Sequence, residues 1–487
     1  MIEWVQTYFQ NLGLLYSTWL VLEWFLRIAA VFVVPRNRRP TAGLTWLTFI
    51  FLIPLAGWIA FIILGSSKLP RERRRIQKNL DYVLMRLRPN RSAEKLDVES
   101  KYRHVSQLGR ALSHMPVEKG NSYQILSNYH EIFRNIAADI AQAKKTVHLE
   151  YYTFVLDQET EPIFKAIEQA RARNVTVRVL YDAYGTRRYF GPSRRMRRRL
   201  KACGVEVRSS LPLKLPFQGY TRPDLRNHRK LVSIDGQIGY SGSQNIIEQG
   251  YHRRDKIIYD ELVTRVTGPI VTQYEAIFAA DWFAETRQDI FESAIPEPIK
   301  SKSSYHKLQL LPSGPGFDDE NNLKVFNSLI YAAEKSIMII NPYFVPEESL
   351  ITAIESAARR GVEVTMLNSR VMDQWMVGHA QRSYYEELMR SGVKIYWYNA
   401  PKLLHSKYIV VDEEVAAIGS SNLDIRSFEL DHEMTLLCYD EQIARELQVT
   451  AGHYLEHSQI VDKVKWLSRR RYKQLFDNIA RLTSSIQ

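Results

Sequence analysis

Two long apolar runs fill the first 65 residues, and from about residue 120 the hydrophobic positions change to short alternating stretches separated by amphipathic ones. The first run covers residues 12–34 and is interrupted by Glu23 and Arg27, whose i, i+4 spacing lets them pair on one helix face. The second, residues 44–64, carries no charge. About 20 apolar residues suffice to cross a hydrocarbon core, so the pattern predicts a membrane helical hairpin over residues 1–67. Residues 1–26 hold no Lys or Arg and no small-residue cleavage site follows, which argues against a secretory signal. Pro54 and Gly57 keep a second geometry open, in which the second run bends and returns to the side it entered from.

Residues 68–119 form a basic juxtamembrane linker, with Lys68, Arg71, Arg73, Arg74, Arg75 and Lys78 at its start. The positive-inside rule puts this segment, and the chain after it, on the cytoplasmic side. Arg36, Arg38 and Arg39 between the apolar runs favour the same side, which suits the returning geometry. The charge balance, 66 Lys and Arg against 53 Asp and Glu, favours an anionic partner without saying which. Two cysteines, Cys203 and Cys438, supply neither a disulfide framework nor a zinc pattern.

The later rhythm is strand, helix, strand. Residues 146–154 alternate as a strand, 161–173 have helical spacing, 175–181 form a short apolar strand, and another begins at 203–207. The same order returns at 336–344, 348–360, 362–367 and 392–396, so the chain is an internal duplication. We expect two α/β domains packed about a pseudo-twofold axis, residues 120–287 and 313–487, with a Pro- and Ser-rich linker at 288–312 and helices at the C-terminus. The basic cluster around Lys463 to Lys473 reads either as a solvated helix face or as a second membrane contact. The arginines from Arg187 to Arg199 are open in the same way, as headgroup ligands or as a solvated face. So is the stretch 211–217, which is either a packed loop or an apolar segment dipping into lipid.

A chemical motif is duplicated at one fixed offset of 177 residues. His228, Lys230, Asp235 and Gly242-Ser243-Gln244-Asn245 recur as His405, Lys407, Asp412 and Gly419-Ser420-Ser421-Asn422. Phosphodiester exchange requires a nucleophile, a proton donor for the leaving alcohol, and positive charge around phosphorus. Two imidazoles can divide the first two tasks. Lys230 and Lys407 supply cations, and Asn245, Asn422, Ser243 and Ser420 supply neutral donors. Asp235 and Asp412 belong to the motif but suit a structural task, fixing strand and turn through backbone hydrogen bonds. Metal-ligand spacings and nucleotide-binding loops do not occur, and neither a metal nor a cofactor is expected.

The doubled H-x-K-x4-D pattern resembles that of the phospholipase D superfamily. With Asn341-Pro342-Tyr343-Phe344-Val345-Pro346, Asn422-Leu423-Asp424-Ile425-Arg426-Ser427-Phe428 and the apolar N-terminal segment, the chain from about residue 12 to about 460 is similar to bacterial cardiolipin synthases. The resemblance implies two tandem phospholipase D-like domains and phosphatidyl transfer between two phosphatidylglycerol molecules, giving cardiolipin and glycerol. It makes His228 the nucleophile and His405 the acid and base, with the reverse assignment open. It also implies a carboxylate on the strand after each motif to hold the histidine. By spacing these are Asp255, 27 residues past His228, and Glu433, 28 past His405. The implied partners are anionic phospholipids in a bacterial inner membrane, and nucleic acid is not expected. A membrane-bound phospholipase D giving phosphatidic acid, and a nucleic-acid phosphodiesterase, use the same core and stay open at this point. Oligomeric state is not legible.

Overall fold

The computed structural model describes residues 2–36, 38–78, 83, 98, 101–212, 222–252, 256–290 and 305–482. The chain divides into a unit of residues 1–67 and a second of residues 68–487.

In the first unit the opening run forms the helix Ile2–Val33, whose segment Leu15–Val33 is long and apolar enough to cross a membrane. Glu23 and Arg27 pair at 3.0 Å as the spacing predicts. The second run does not make a matching helix. Pro54 lacks the amide proton that would continue the ladder, and Ile53 leaves the helical region at φ −136° and ψ 82°. The run therefore breaks into Pro40–Leu52 and Pro54–Leu64, of 13 and 11 residues. At 1.5 Å per residue each is roughly 20 Å or less, short of a core about 30 Å thick. Gly57 lets the two pieces close up, because a Cβ there would lie 2.6 Å from Ile50 Cα. The Arg38 guanidinium donates to the Gly65 carbonyl at 3.2 and 3.1 Å, tying the residue before the pair to the residue after it. Of the two geometries open to the second run, the structure has the one that bends and returns: one long helix is followed by a folded-back pair.

The second unit is built on a 16-stranded sheet whose strand order repeats in reverse about its middle. From one edge the first half contributes Glu206–Ser210, Thr176–Asp182, Thr146–Tyr151, Lys230–Ile234, Ile238–Gly242, Val263–Thr267 and Glu118–Leu126. From the other come Lys394–Tyr398, Glu363–Ser369, Ser336–Ile340, Tyr408–Val411, Val415–Gly419, Asp431–Cys438 and His306–Ser313, outside which lies Ser458–Ile460. The halves meet where Glu118–Leu126 pairs antiparallel with His306–Ser313, which is the pairing a twofold axis requires. Helices such as Tyr129–Gln142, Glu161–Ala172, Asn321–Tyr331 and Glu348–Arg359 bury their apolar faces on the sheet.

The strands and helices read from periodicity lie within a few residues of their expected places. The segments read as linkers differ. Residues 306–312, expected to connect the halves, belong to the central strand, because Leu308, Leu310 and Leu311 are fully buried there. Residues 291–304 lie outside the described residues. The basic linker contributes a helix, Arg103–Ser113, with Tyr102 and Val105 in the core. Residues 213–221, which include most of the apolar stretch before the first motif, also lie outside the described residues.

Asp235 and Asp412 sit at the end of the motif strands remote from the histidines, roughly 20 Å along the chain at 3.3 Å per residue. The Asp235 carboxylate accepts from the amides of Lys144, Lys145 and Thr146 at 2.7–2.8 Å. Asp412 does the same for Lys335 and Ser336 at 2.6 and 2.8 Å, and adds Lys101 at 2.6 Å and Tyr102 at 3.1 Å. Both pin the start of the neighbouring strand, the structural task that the sequence suits them to. Burial alone would raise Asp412, but Lys101 and the strand amides bring it down to about 2. A carboxylate held below its ordinary value stabilises the fold above that value and loses this as pH falls toward 2. Asp412→Asn, whose amide offers a donor to donors, should cost on the order of 2–3 kcal/mol of unfolding free energy in denaturant titration near neutral pH. The difference from the native chain should shrink as the pH is lowered through 4, and turnover per folded molecule should stay near native.

Candidate active site

Each motif histidine lies on a short segment that pairs with the other half. Arg226–Asn227 runs parallel to Asp431–His432, and the His228 amide donates to the His432 carbonyl at 2.9 Å. Lys402–Leu404 runs parallel to Ile258–Asp260, and the His405 amide donates to the Asp260 carbonyl at 2.7 Å. The residue following each acceptor is a buried glutamate. His228 Nδ1 donates to Glu433 Oε1 at 2.8 Å, and His405 Nδ1 donates to both Glu261 oxygens at 2.9 Å. The carboxylates are exchanged: each half orients the histidine of the other.

This differs from the expected pairing of Asp255 with His228 and Glu433 with His405. Asp255 lies outside the described residues. Glu433 holds a motif histidine, but the one across the interface. Glu261, which spacing missed, is its counterpart. It stands just before Leu262, whose amide and carbonyl both bond Ser243 Oγ, at 2.9 and 3.2 Å. Glu433 stands just before Met434, whose amide and carbonyl bond Ser420 Oγ at 3.0 and 3.4 Å. That register would have identified Glu261. A longer connection after Asn245 hides it from a search at equal spacing.

The serines therefore belong to the support of the site. Ser420 Oγ also donates to Glu433 Oε2, so the chain of bonds runs Ser420, Glu433, His228. Arg229, fully buried, donates to the Glu433 carbonyl at 3.2 Å and is itself held by Asp281. Lys230 Nζ donates to the His228 carbonyl at 2.7 Å and Lys407 Nζ to the His405 carbonyl at 2.6 Å. Asn245 Oδ1 accepts from the Thr153 amide at 3.2 Å, whereas Asn422 Oδ1 is buried with no hydrogen bond among the described residues.

Both histidines and both asparagines open into one cavity of about 1070 Å³. Tyr152 meets the His228 ring edge-on at 5.0 Å, and Tyr343 and Tyr259 meet His405 at 6.1 and 5.6 Å. Arg188, Arg195 and Arg426 line the wall together with Asp373, Asp424 and Asp431. Among the cations of the Arg187 to Arg199 cluster, Arg188 and Arg195 reach the cavity while Arg199 is engaged by Glu161 and Glu168 on the outer face. Among the described residues, no group of three His, Cys, Asp or Glu side chains is placed to hold a metal ion.

Burial dominates the electrostatics. It lowers His228 well below the ordinary imidazole value, and Lys230, Lys407 and His405 push the same way. Burial lowers His405 as well, but Glu261 opposes it. Glu261 would be raised by burial and is instead brought down by His405 and Lys407, while burial pushes Glu433 up. The lysines fall to about 8 for Lys230 and about 7 for Lys407, burial being the first cause for both. The site thus holds a neutral imidazole at His228, an ionised carboxylate behind His405, and two ammonium groups close to losing their protons.

A family model described as "Cardiolipin synthase, PLD-like domain" matches residues 136–282 and 326–455, one segment in each half. The chain is 31% identical to cardiolipin synthase A of Proteus mirabilis over 92% of its length and 93% of the relative's. It is 32% identical to cardiolipin synthase of Halalkalibacterium halodurans over 92% of its length and 90% of the relative's. The fold is similar to the crystal structure of phosphatidylserine synthase from Haemophilus influenzae, with a TM-score of 0.60 at 15% identity, covering 79% of this chain and 99% of that one.

Two expectations follow from the geometry. Glu433→Gln and Glu261→Gln should each lower kcat roughly a thousandfold with little change in KM, since each replaces a carboxylate that only accepts with an amide that can also donate to Nδ1 and admit the wrong ring tautomer. Steady-state kinetics in mixed micelles checks this. In the pH profile of kcat/KM, the acid limb should lie below 6.5, where His228 protonates; the alkaline fall should begin as His405, itself lowered by burial, loses the proton it delivers, and should steepen between about 7 and 8 as Lys407 and Lys230 lose charge. An anion bound between the lysines raises their pKa, so the alkaline limb of kcat should lie higher than that of kcat/KM.

Proposed function

The chain belongs to the cardiolipin synthase family of phospholipase D-like proteins, and from that premise we propose that it joins two phosphatidylglycerol molecules into cardiolipin and glycerol through a phosphatidyl-histidine. The observation that carries the reading is the pair of exchanged His–Glu contacts opening into a single arginine-lined cavity. Two phosphodiester headgroups must meet at one phosphorus, and a cavity of about 1070 Å³ is at the large end of small-molecule sites.

The asymmetry of the two pairs favours His228 as nucleophile. Its Nδ1 proton is committed to Glu433, and its neutral ring leaves Nε2 with a free electron pair. His228 Nε2 attacks phosphorus while the bond to the glycerol oxygen breaks. His405 delivers the proton that the glycerol needs, and ionised Glu261, touching it with both oxygens, suits the imidazolium that must precede this step. Neutral His405 then takes a proton from the terminal hydroxyl of a second phosphatidylglycerol. That oxygen attacks phosphorus, the P–N bond breaks, and His228 is restored. Lys230 and Lys407 balance the charge on the non-bridging oxygens. One phosphodiester replaces another, so neither nucleotide nor metal is required by the scheme.

The basic stretch from Lys68 and the folded-back pair, which returns the chain to the side of Arg38, support a protein anchored in the cell membrane with its catalytic halves facing the cytoplasm.

Purified protein in micelles of phosphatidylglycerol, without added metal or nucleotide, should form cardiolipin and glycerol in equal amounts, and His228→Ala and His405→Ala should each abolish this. Phosphatidic acid as the sole lipid product would make it a hydrolase. A phosphatidyl ester of p-nitrophenol needs no acid to release its leaving group. With it, His405→Ala should trap a phosphatidyl adduct on His228, seen by peptide mass spectrometry. An adduct on His405 in His228→Ala alone would reverse the two roles.

A further inference from the structure

The C-terminal helix Arg471–Leu482 is amphipathic the wrong way round for a helix packed on its own protein. Its polar Asp477 faces inward and is buried, bonded to His379 at 2.7 Å and Arg469 at 2.9 Å. Its apolar stripe faces out. Tyr472, Leu475, Phe476 and Ile479, at the i, i+3, i+4, i+7 spacing of a single face, are 51%, 58%, 53% and 48% exposed. Val464 in the preceding short helix is 77% exposed.

Two further observations identify what covers this stripe. The first is charge. Residues 463–482 hold seven Lys and Arg against one Asp, and that Asp is already neutralised inside. Lys463, Lys465, Arg470 and Arg471 are exposed beside the stripe. Apolar residues flanked by cations suit an interface between hydrocarbon and anionic headgroups. The second is continuity with the catalytic cavity. The helix runs parallel to Trp375–Ser391, since Asp477 meets His379 and Arg481 meets Glu387 at 3.3 Å. The helix Trp375–Ser391 begins at Trp375, which is 64% exposed and lies between the cavity residues Gln374 and Val377. In the other half Phe190, 71% exposed, begins the corresponding helix Phe190–Ala202 next to the cavity residue Tyr189. Aromatic rings at such a rim are at home in the headgroup layer.

We propose that the helix Arg471–Leu482 lies in the surface of an anionic phospholipid bilayer with its apolar stripe immersed, and that this sets the cavity rim at Trp375 against the lipid supply. The inference rests on the phospholipid-transfer reading for its purpose, but not for its measurement. Because the N-terminal helix is itself apolar enough to hold the chain in a membrane, simple vesicle binding does not test it, and depth does. In full-length protein with Cys203→Ser and Cys438→Ala, a nitroxide on Phe476→Cys is compared with one on Val449→Cys, an exposed apolar position on another helix, Glu441–Glu456. In vesicles containing phosphatidylglycerol, the 476 label should collide preferentially with oxygen and the 449 label with a water-soluble nickel chelate. Equal nickel exposure at both positions overturns the proposal. So does dipolar broadening between 476 labels, which would place the stripe between two copies. In parallel, Leu475→Glu, Phe476→Glu and Ile479→Glu together should slow turnover in vesicles roughly tenfold or more, about 1.4 kcal/mol or more of lost docking, while turnover in detergent mixed micelles is unchanged. An equal loss in vesicles and micelles also overturns it. An immersed 476 label on a protein that turns over no phospholipid would uphold the surface and fail the catalytic reading.

Discussion

Two hydrogen bonds that cross between the halves, His228 to Glu433 and His405 to Glu261, set the terms for the rest of this molecule. A histidine working alone on phosphorus needs one ring nitrogen held so that the other is free, and here neither half can hold its own. The main chain enforces the exchange before the side chains do, because each histidine segment is paired as a strand with the segment that carries the opposite glutamate. Separate halves would each retain a sheet and a motif, yet have no oriented nucleophile. That couples catalysis to the central antiparallel contact of Glu118–Leu126 with His306–Ser313.

The same burial that makes the contacts strong makes the two lysine ammonium groups stronger acids than usual. Lys407 is driven to about 7 because its ammonium is fully enclosed, and the nearby carboxylates only partly compensate. On the proposed reading, a phosphodiester held beside Lys230 and Lys407 supplies the missing negative charge. The rings of Tyr152, Tyr343 and Tyr259 pack against the two imidazoles.

At the other end of each motif strand the aspartates do mechanical work. Asp235 and Asp412 adopt positive φ, each 55°, at the turn after the strand and gather the amides that begin the neighbouring strand. Each motif therefore spans its strand: chemistry at one end, register at the other. A slip of one residue would reverse every side chain on the strand, so fixing the far end also aims the lysine beside the histidine.

The repeated motif, its fixed offset and the α/β rhythm were legible in the sequence, because they depend on local periodicity and on residues whose types the chemistry dictates. Two apolar runs were legible for the same reason, as were the structural suitability of Asp235 and Asp412 and the likeness to a known family. Tertiary structure alone decided the partners. Glu261 and Glu433 reach across a contact that joins residues 144 and 205 positions apart, and no spacing along one half encodes the geometry of the other. It likewise decided that the second apolar run folds back, through one proline and the close approach at Gly57. And it decided which face of the last helix is turned outward, since a helical stripe marks a face but not the side of the protein it will occupy.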